Sequence, residues 1–81
     1  MYHKLGICFR QPEDITEFVD IINQFEYDVD LKSGKNIVDA KSLLGVIAIS
    51  KADGVELVIH CDECQELLDR LQNYVKDRKI A

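Results

Sequence analysis

Apolar and polar residues alternate with a period of two in four segments of the chain, which indicates β-strands. The first of these segments is Tyr2–Phe9, and the others are Tyr27–Lys32, Lys35–Val38 and Val55–Ile59. Ser33-Gly34 separates the second segment from the third, and glycine there can take the positive φ of a tight turn. The pattern therefore predicts four strands, of which the second and third form a hairpin.

A helical period of three or four residues appears first after Gln11. Pro12 suits the first position of a helix, and the acidic residues that follow suit its positive dipole end. One apolar face then continues at helical spacing through Ile15, Phe18, Val19, Ile22 and Phe25. We predict the first helix over about Pro12–Gln24.

The same period returns near the end of the chain. Asp62 is a good N-cap, and Gln65 three residues later completes a capping box. The predicted core stripe consists of Leu67, Leu68, Leu71, Tyr74 and Val75, and the basic residues Lys76, Arg78 and Lys79 suit the C-terminal dipole. A short apolar helix is predicted around Leu43–Ile47, with Asp39 and Ser42 as candidate N-caps.

The predicted order is strand, helix, strand, strand, helix, strand, helix. This order implies an α+β fold in which helices pack on one face of an antiparallel sheet. Eighty-one residues suffice for one domain, and we expect residues 1–81 to form it. The periodicity alone does not determine the order of the strands in the sheet.

Composition and charge disfavour several classes of function. Fifteen acidic and ten basic residues give a net charge of −5, which disfavours direct binding to nucleic acid or to anionic membranes. The longest apolar run, Leu43–Ile49, is far shorter than a membrane span. The first residues lack a signal-peptide core, so we expect a cytoplasmic protein whose three cysteines remain thiols.

Two segments of the sequence carry a family resemblance. Lys32-Ser33-Gly34-Lys35, followed by Asp39-Ala40-Lys41-Ser42-Leu43-Leu44-Gly45-Val46-Ile47-Ala48-Ile49, resembles HPr, the phosphocarrier protein of the bacterial sugar phosphotransferase system. The resemblance covers nearly the whole chain. It implies an open-faced β-sandwich with βαββαβα topology, in which a four-stranded antiparallel sheet of order 1-4-2-3 carries three helices on one face.

The histidine motif of that family is missing here. In the family, the phosphoryl-accepting histidine lies at the start of the first helix, in the order Gly, aliphatic, His, Ala, Arg, Pro. Counting back without gaps from Phe25 places Gln11 at the histidine, Glu13 at the arginine and Asp14 at the proline. Some members with glutamine at this position are regulatory and act through the serine equivalent to Ser42. The resemblance thus implies a regulatory or docking protein that is neither a phosphocarrier nor an enzyme.

The predicted partner-binding face has structural and functional readings. It consists of Gln11, Lys41, Ser42, Leu43, Leu44 and Ile47. Ser42 serves as the N-cap of a short helix, as a target of a serine kinase, or as both. The aliphatic residues are either core or a docking patch. The resemblance implies protein partners, namely phosphotransferase components, a serine kinase or a transcriptional regulator, and no cofactor.

Cysteine and histidine residues leave two alternative functions open. One is a divergent phosphocarrier that uses His3 or His60, although neither lies at a predicted helix start. The other is a thiol or metal protein built on Cys61 and Cys64, although Cys64 falls on the predicted core stripe. A zinc site from these four residues has suitable ligand types, but adjacent residues of a strand point to opposite faces. We therefore expect no metal site.

Overall fold

Nine short elements make up residues 3–52 and 54–77, the part of the chain that this computed structural model describes. They are β1 (His3–Ile7), α1 (Pro12–Asn23), β2 (Asp28–Ser33), β3 (Asn36–Asp39), α2 (Leu43–Ile49), β4 (Glu56–His60), α3 (Gln65–Arg70), a 3₁₀ turn (Gln72–Tyr74) and β5 (Val75–Asp77). The bounds predicted for the first helix and the four strands agree with these to within two residues. Tyr2, the predicted start of β1, lies outside the described residues.

The strands form one antiparallel sheet in the order β3-β2-β4-β1-β5. Its first four strands have the order 1-4-2-3 that the resemblance implies. Across the centre of the sheet, Leu31 of β2 and Leu5 of β1 both pair with Leu57 of β4. Because side chains alternate between the two faces of a sheet, this apolar row points to the face on which the helices pack.

The prediction of a four-stranded sheet is wrong, because the end of the chain forms a fifth strand. α3 ends at Arg70, and Tyr74 and Val75 lie in the 3₁₀ turn and in β5 instead of on a helical stripe. Val75 pairs with Ile7, and the carbonyl of Tyr74 accepts a hydrogen bond from the N–H of Cys8 at 2.8 Å. The unpaired backbone groups on the edge of β1 favour this pairing over another helical turn.

The start and the basic end of α3 also differ from the prediction. Cys64, not Asp62, is the N-cap, and Gln65 is the first helical residue, so the predicted capping box is wrong. The side chain of Cys64 is buried, and its contact with the core fixes the point at which the helix can begin. Lys76 lies in β5 and does not cap a helix. The other two predicted basic residues, Arg78 and Lys79, lie outside the described residues.

The core lies between the helices and the inner face of the sheet. Its fully buried large side chains include Phe18, Ile22, Leu31, Leu57, Ile59, Leu67 and Leu71. The predicted apolar face of α1 is confirmed, with Phe18, Val19 and Ile22 buried and Ile15 and Phe25 packed at the edge of the core. Each such side chain contributes about 1.5–3 kcal/mol through removal from water, which holds the helices on the sheet.

All three α-helices are short. α1 has 12 residues, α2 has 7 and α3 has 6. A helix that crosses a bilayer needs about 20 predominantly apolar residues. Within residues 3–52 and 54–77, no helix combines that length with an apolar composition.

Candidate protein-docking site

The start of α1 is closed by one of its own side chains. Gln11 is the N-cap in an extended conformation, and Pro12 is the first helical residue and has no N–H. The Asp14 carboxylate turns back and accepts hydrogen bonds from the N–H of Arg10 at 2.9 Å and from the N–H of Gln11 at 3.3 Å. The N–H of Asp14 itself bonds to the carbonyl of Gln11 at 3.0 Å. The N–H groups of Arg10, Gln11 and Asp14 are therefore engaged within the chain.

This arrangement disfavours an added phosphoryl group. Backbone donors and the positive end of the helix dipole attract anions at a helix start. Here Asp14 and Glu13 place two carboxylates in the first turn, and both would repel an added phosphate. Arg10 is the cation adjoining these two carboxylates in sequence. The electrostatics favour a carboxylate that belongs to the chain over an incoming phosphate.

Ser42 caps α2. Its Oγ accepts a hydrogen bond from the N–H of Gly45 at 3.2 Å, and its carbonyl accepts one from the N–H of Val46 at 2.9 Å. The predicted N-cap role of Ser42 is therefore confirmed, and the side chain remains exposed. Asp39, the other candidate cap, instead accepts a hydrogen bond from the N–H of Lys41 at 2.9 Å and shapes the preceding turn.

Gly45 allows close packing at this cap. A Cβ at this position would lie 3.3 Å from the Cβ of Val38 on β3 and 3.4 Å from the Oγ of Ser42. The distance to the Cβ of Val38 is short for two carbon atoms, and the distance to the Oγ of Ser42 is ordinary contact. Glycine thus lets α2 approach β3 while the Ser42 cap keeps its geometry.

An amide side chain joins the ends of the two helices. Asn23, at the end of α1, donates from Nδ2 to the carbonyl of Lys41 at 3.0 Å and to the carbonyl of Val19 at 2.9 Å. The end of α1 therefore lies beside the start of α2. The start of α1 lies beside the end of α2, where Pro12 and Thr16 line a groove with Ser50 and Lys51. Gln11 and Ser42 are consequently at opposite ends of the predicted face.

The groove between α1 and α2 has a volume of about 480 Å³. It is lined by Phe9, Arg10, Gln11, Pro12, Ile15, Thr16, Leu43, Ile47, Ser50 and Lys51. Two lining residues are basic and none is acidic, although the whole chain carries a net charge of −5. Of the predicted face, Gln11, Leu43 and Ile47 meet in this groove.

Three aliphatic side chains of α2 face solvent, and we call Leu43, Leu44 and Ile47 the apolar patch. Their exposed fractions are 42%, 80% and 49%, respectively. Val46 and Ile49 instead point into the core. Leu43, Leu44 and Ile47 therefore do not belong to the buried core. Leu44 lies outside the groove lining and extends the apolar surface beyond it.

Sequence reasoning did not identify several groove residues. Arg10 and Lys51 are not part of the predicted face, and Phe9 and Ile15 are predicted only as members of a strand and of a helix face. They meet only because α1 and α2 pack with opposite ends together.

The two histidines lie on the sheet, away from the groove. His3 Nε2 is 3.2 Å from the carbonyl of Asp62, and His60 Nε2 is 2.9 Å from the Asp30 carboxylate. In the part of the chain that the structure describes, no cluster of three or more His, Cys, Asp or Glu residues could hold a metal ion. Cys64, the second cysteine of the predicted pair, is 2% exposed and packs in the core.

Comparison with known proteins assigns the chain to a family. The family model of the PTS HPr component phosphorylation site matches residues 13–77. The chain belongs to the HPr family. The match includes α2 and the apolar patch, but it begins two residues after Gln11. HPr-family proteins interact with other proteins of the phosphotransferase system.

A curated relative supports the same assignment. HPr-like protein Crh of Bacillus subtilis (strain 168) is 34% identical over 62 residues, which span 74% of this chain and 73% of Crh. The crystal structure of Crh has a TM-score of 0.64 at 30% identity, and the comparison covers 98% of this chain and 90% of that chain. Crh is described as a catabolite repression protein, and in that crystal structure it forms a dimer with a swapped domain.

The fold is also that of a phosphocarrier. The crystal structure of phosphocarrier protein HPr from Bacillus anthracis str. Ames has a TM-score of 0.71 at 21% identity, with 94% of this chain and 96% of that chain covered. At this identity the likeness shows the fold alone. The HPr-like α+β fold predicted from the resemblance is confirmed, with five strands instead of four.

Proposed function

We propose that this HPr-family chain is a regulatory or docking protein that carries no phosphoryl group on a histidine. It binds partner proteins through the exposed face of α1 and α2, acts in the cytoplasm and has no enzymatic activity. That face bears Gln11, Lys41, Ser42, Leu43, Leu44 and Ile47. The observation that supports this role is the groove that leads from the closed start of α1 onto the apolar patch of α2.

The chemistry at Gln11 supports the absence of a carrier reaction. A phosphoryl acceptor needs a nucleophilic lone pair, which an imidazole has and the amide nitrogen of glutamine lacks. The Asp14 carboxylate accepts a hydrogen bond from the N–H of Arg10 and adds negative charge at the helix start, which weakens its attraction for a phosphate. A transfer to this site would also bring negative charge next to Glu13 and Asp14.

The apolar patch and the charge of the groove support docking of a protein. A cluster of exposed aliphatic side chains on a small domain marks an interaction surface more often than chance exposure does. Arg10 and Lys51 at the groove favour carboxylates on the partner. We therefore infer that the partner presents apolar side chains flanked by acidic ones.

Ser42 is the residue through which we propose that docking is regulated. A phosphate on its Oγ would keep oxygen acceptors next to the N–H of Gly45, so the cap of α2 can persist. The same phosphate would add about −1.5 to −2 charges beside Leu43 and Leu44. Partners that present carboxylates would be repelled, and partners that present arginine would gain charge-assisted hydrogen bonds.

The similarity to Crh guides the choice of partners. Crh is described as a catabolite repression protein, and we extend the regulatory class of function, without its particular partner, to this chain. Phosphotransferase components, a serine kinase and a transcriptional regulator are the candidate partners. Their contact with the apolar patch distinguishes them from proteins that bind elsewhere on the surface.

A matched pair of substitutions tests this docking site. Immobilised wild-type protein, Leu44→Lys and Ile37→Lys are used to capture candidate partners, and affinities of captured proteins are measured by calorimetry. Leu44 and Ile37 are both exposed aliphatic residues, at 80% and 61%, but Ile37 lies on β3 and outside the groove and the patch.

We expect Leu44→Lys to weaken binding about tenfold or more, equivalent to about 1.4 kcal/mol, while Ile37→Lys binds like the wild type. Equal affinity of the two variants would contradict docking through the patch, whether both bind or both fail. Circular dichroism and thermal melts confirm that each variant is folded before binding is measured.

A further inference from the structure

Cys61 and Cys64 lie together at the junction of β4 and α3, outside the docking face. Cys61 follows directly after β4, the chain bends at Asp62, and Cys64 is the N-cap of α3. The Sγ of Cys61 donates to the carbonyl oxygen of Glu63 at 3.4 Å. That oxygen belongs to the peptide group preceding Cys64, so the bend brings the Cys61 thiol close to the second cysteine.

The two thiols differ in exposure. Cys61 is half-buried and reachable from solvent, whereas Cys64 is 2% exposed and packs with the core. Burial raises the pKa of the Cys64 thiol above its ordinary value of 9.0, and the neighbouring Cys61 raises it further. An external reagent therefore meets Cys61 first, and Cys61 is near enough to Cys64 to influence its pKa.

We propose that Cys61 and Cys64 form a redox-sensitive dithiol that a low-molecular-weight disulfide converts into an intramolecular disulfide. The Cys61 thiolate attacks one sulfur of the reagent, whose S–S bond breaks and releases one thiol. The Cys64 thiolate then attacks the Cys61 sulfur and releases the second thiol. Two protein thiols lose two electrons in total, the reagent disulfide gains them, and the two protons end on the released thiols.

The backbone at the two cysteines is not part of a regular element. Residues 61–64 contain neither helix nor strand. Hydrogen bonds that limit any shift there run from the N–H of Leu68 to the Cys64 carbonyl and from the Tyr27 hydroxyl to the Glu63 carbonyl. The third cysteine, Cys8, lies at the opposite end of β1 from His3, which contacts Asp62. Five residues of strand correspond to about 16 Å, so Cys8 is too distant to compete.

Peptide mapping tests the dithiol in the intact protein. Reduced protein is incubated with oxidised glutathione, and the reaction is quenched with acid. The protein is then denatured in the presence of N-ethylmaleimide, which blocks the remaining thiols before digestion. Trypsin separates Cys8, in residues 5–10, from the pair, which share residues 52–70. Cys8, an exposed thiol without a neighbouring cysteine, is the internal control.

We expect residues 52–70 to lose two hydrogen atoms and to carry no maleimide, while residues 5–10 carry a glutathionyl or maleimide group. Dithiothreitol should return residues 52–70 to two blocked thiols. A glutathionyl group retained on Cys61 with maleimide on Cys64, two maleimides, or a link to residues 5–10 would each overturn the proposal. In Cys64→Ala, confirmed as folded by circular dichroism, Cys61 should stop at the mixed disulfide.

Discussion

The Asp14 carboxylate accepts a hydrogen bond from the backbone N–H of Arg10 at 2.9 Å. Asp14 belongs to the first turn of α1, and Arg10 immediately precedes the N-cap. A side chain of the helix thus supplies the anion that the start of the helix attracts.

Removing this carboxylate should destabilise the fold. We expect Asp14→Ala to lower the free energy of unfolding by about 0.5–2 kcal/mol, because the N–H groups of Arg10 and Gln11 lose an acceptor and the dipole loses a charge. Asp20→Ala is the matched control, since Asp20 is exposed in the interior of the same helix. Urea melts that give the two variants equal stability would show that the Asp14 contact contributes nothing.

Substitutions of Ser42 should affect the stability of the fold and the affinity for a partner differently. Ser42→Ala should lower the free energy of unfolding by about 0.5–2 kcal/mol, because the N–H of Gly45 loses its acceptor. Ser42→Asp keeps an acceptor and adds a charge that the dipole favours, so its melting temperature should stay near that of the wild type.

The same series tests the regulatory role of Ser42. We expect Ser42→Asp to change the affinity for a captured partner by about 1–3 kcal/mol, the size of a few charge-assisted contacts. Binding titrations use the folded variants only. Equal affinity of the wild type, Ser42→Ala and Ser42→Asp would leave Ser42 with a capping role alone.

Tyr74 should make stability depend on alkaline pH. Burial raises the pKa of its phenol above 10.0, and the Glu17 carboxylate, which accepts its hydrogen bond at 3.2 Å, raises it further. Because the folded state holds this proton more tightly, the stabilisation is complete below the unfolded pKa and is lost as pH rises through the folded pKa.

The comparison is with Tyr74→Phe, which lacks the phenol. The difference in unfolding free energy between wild type and variant should shrink as pH rises from about 9 to about 11, because only the wild type loses this contribution. Denaturant melts at several pH values measure it. Parallel stability curves over this range would show that Tyr74 has no part in the dependence.

Much of the fold followed from local pattern. The face of α1 and the strand alternation were predictable because burial on one side imposes a period of 3.6 or 2 on the sequence. Tyr74 and Val75 show the limit of this reasoning. Their helical spacing relative to Leu71 is also compatible with a strand. Pairing with the edge of β1 favours the strand over the helix.

The candidate site was predictable only in part. Ser42 as a cap follows from local sequence, whereas the sequence leaves open whether Leu43, Leu44 and Ile47 are buried or exposed. The pairing of Leu43 with Arg10 and Lys51 in one groove depends on how α1 packs against α2. Such a contact between distant segments leaves no periodic trace in the chain.

Transfer of phosphate from phosphoenolpyruvate tests the central claim most directly. The protein is incubated with phosphoenolpyruvate and the first enzyme of the phosphotransferase system, and acid-labile phosphate on it is measured over time. HPr from Bacillus anthracis, a phosphocarrier, serves as the positive control. We predict no acid-labile phosphate on this protein under conditions in which the control is fully phosphorylated. Acid-labile phosphate appearing on it at a rate comparable to the control would contradict the account.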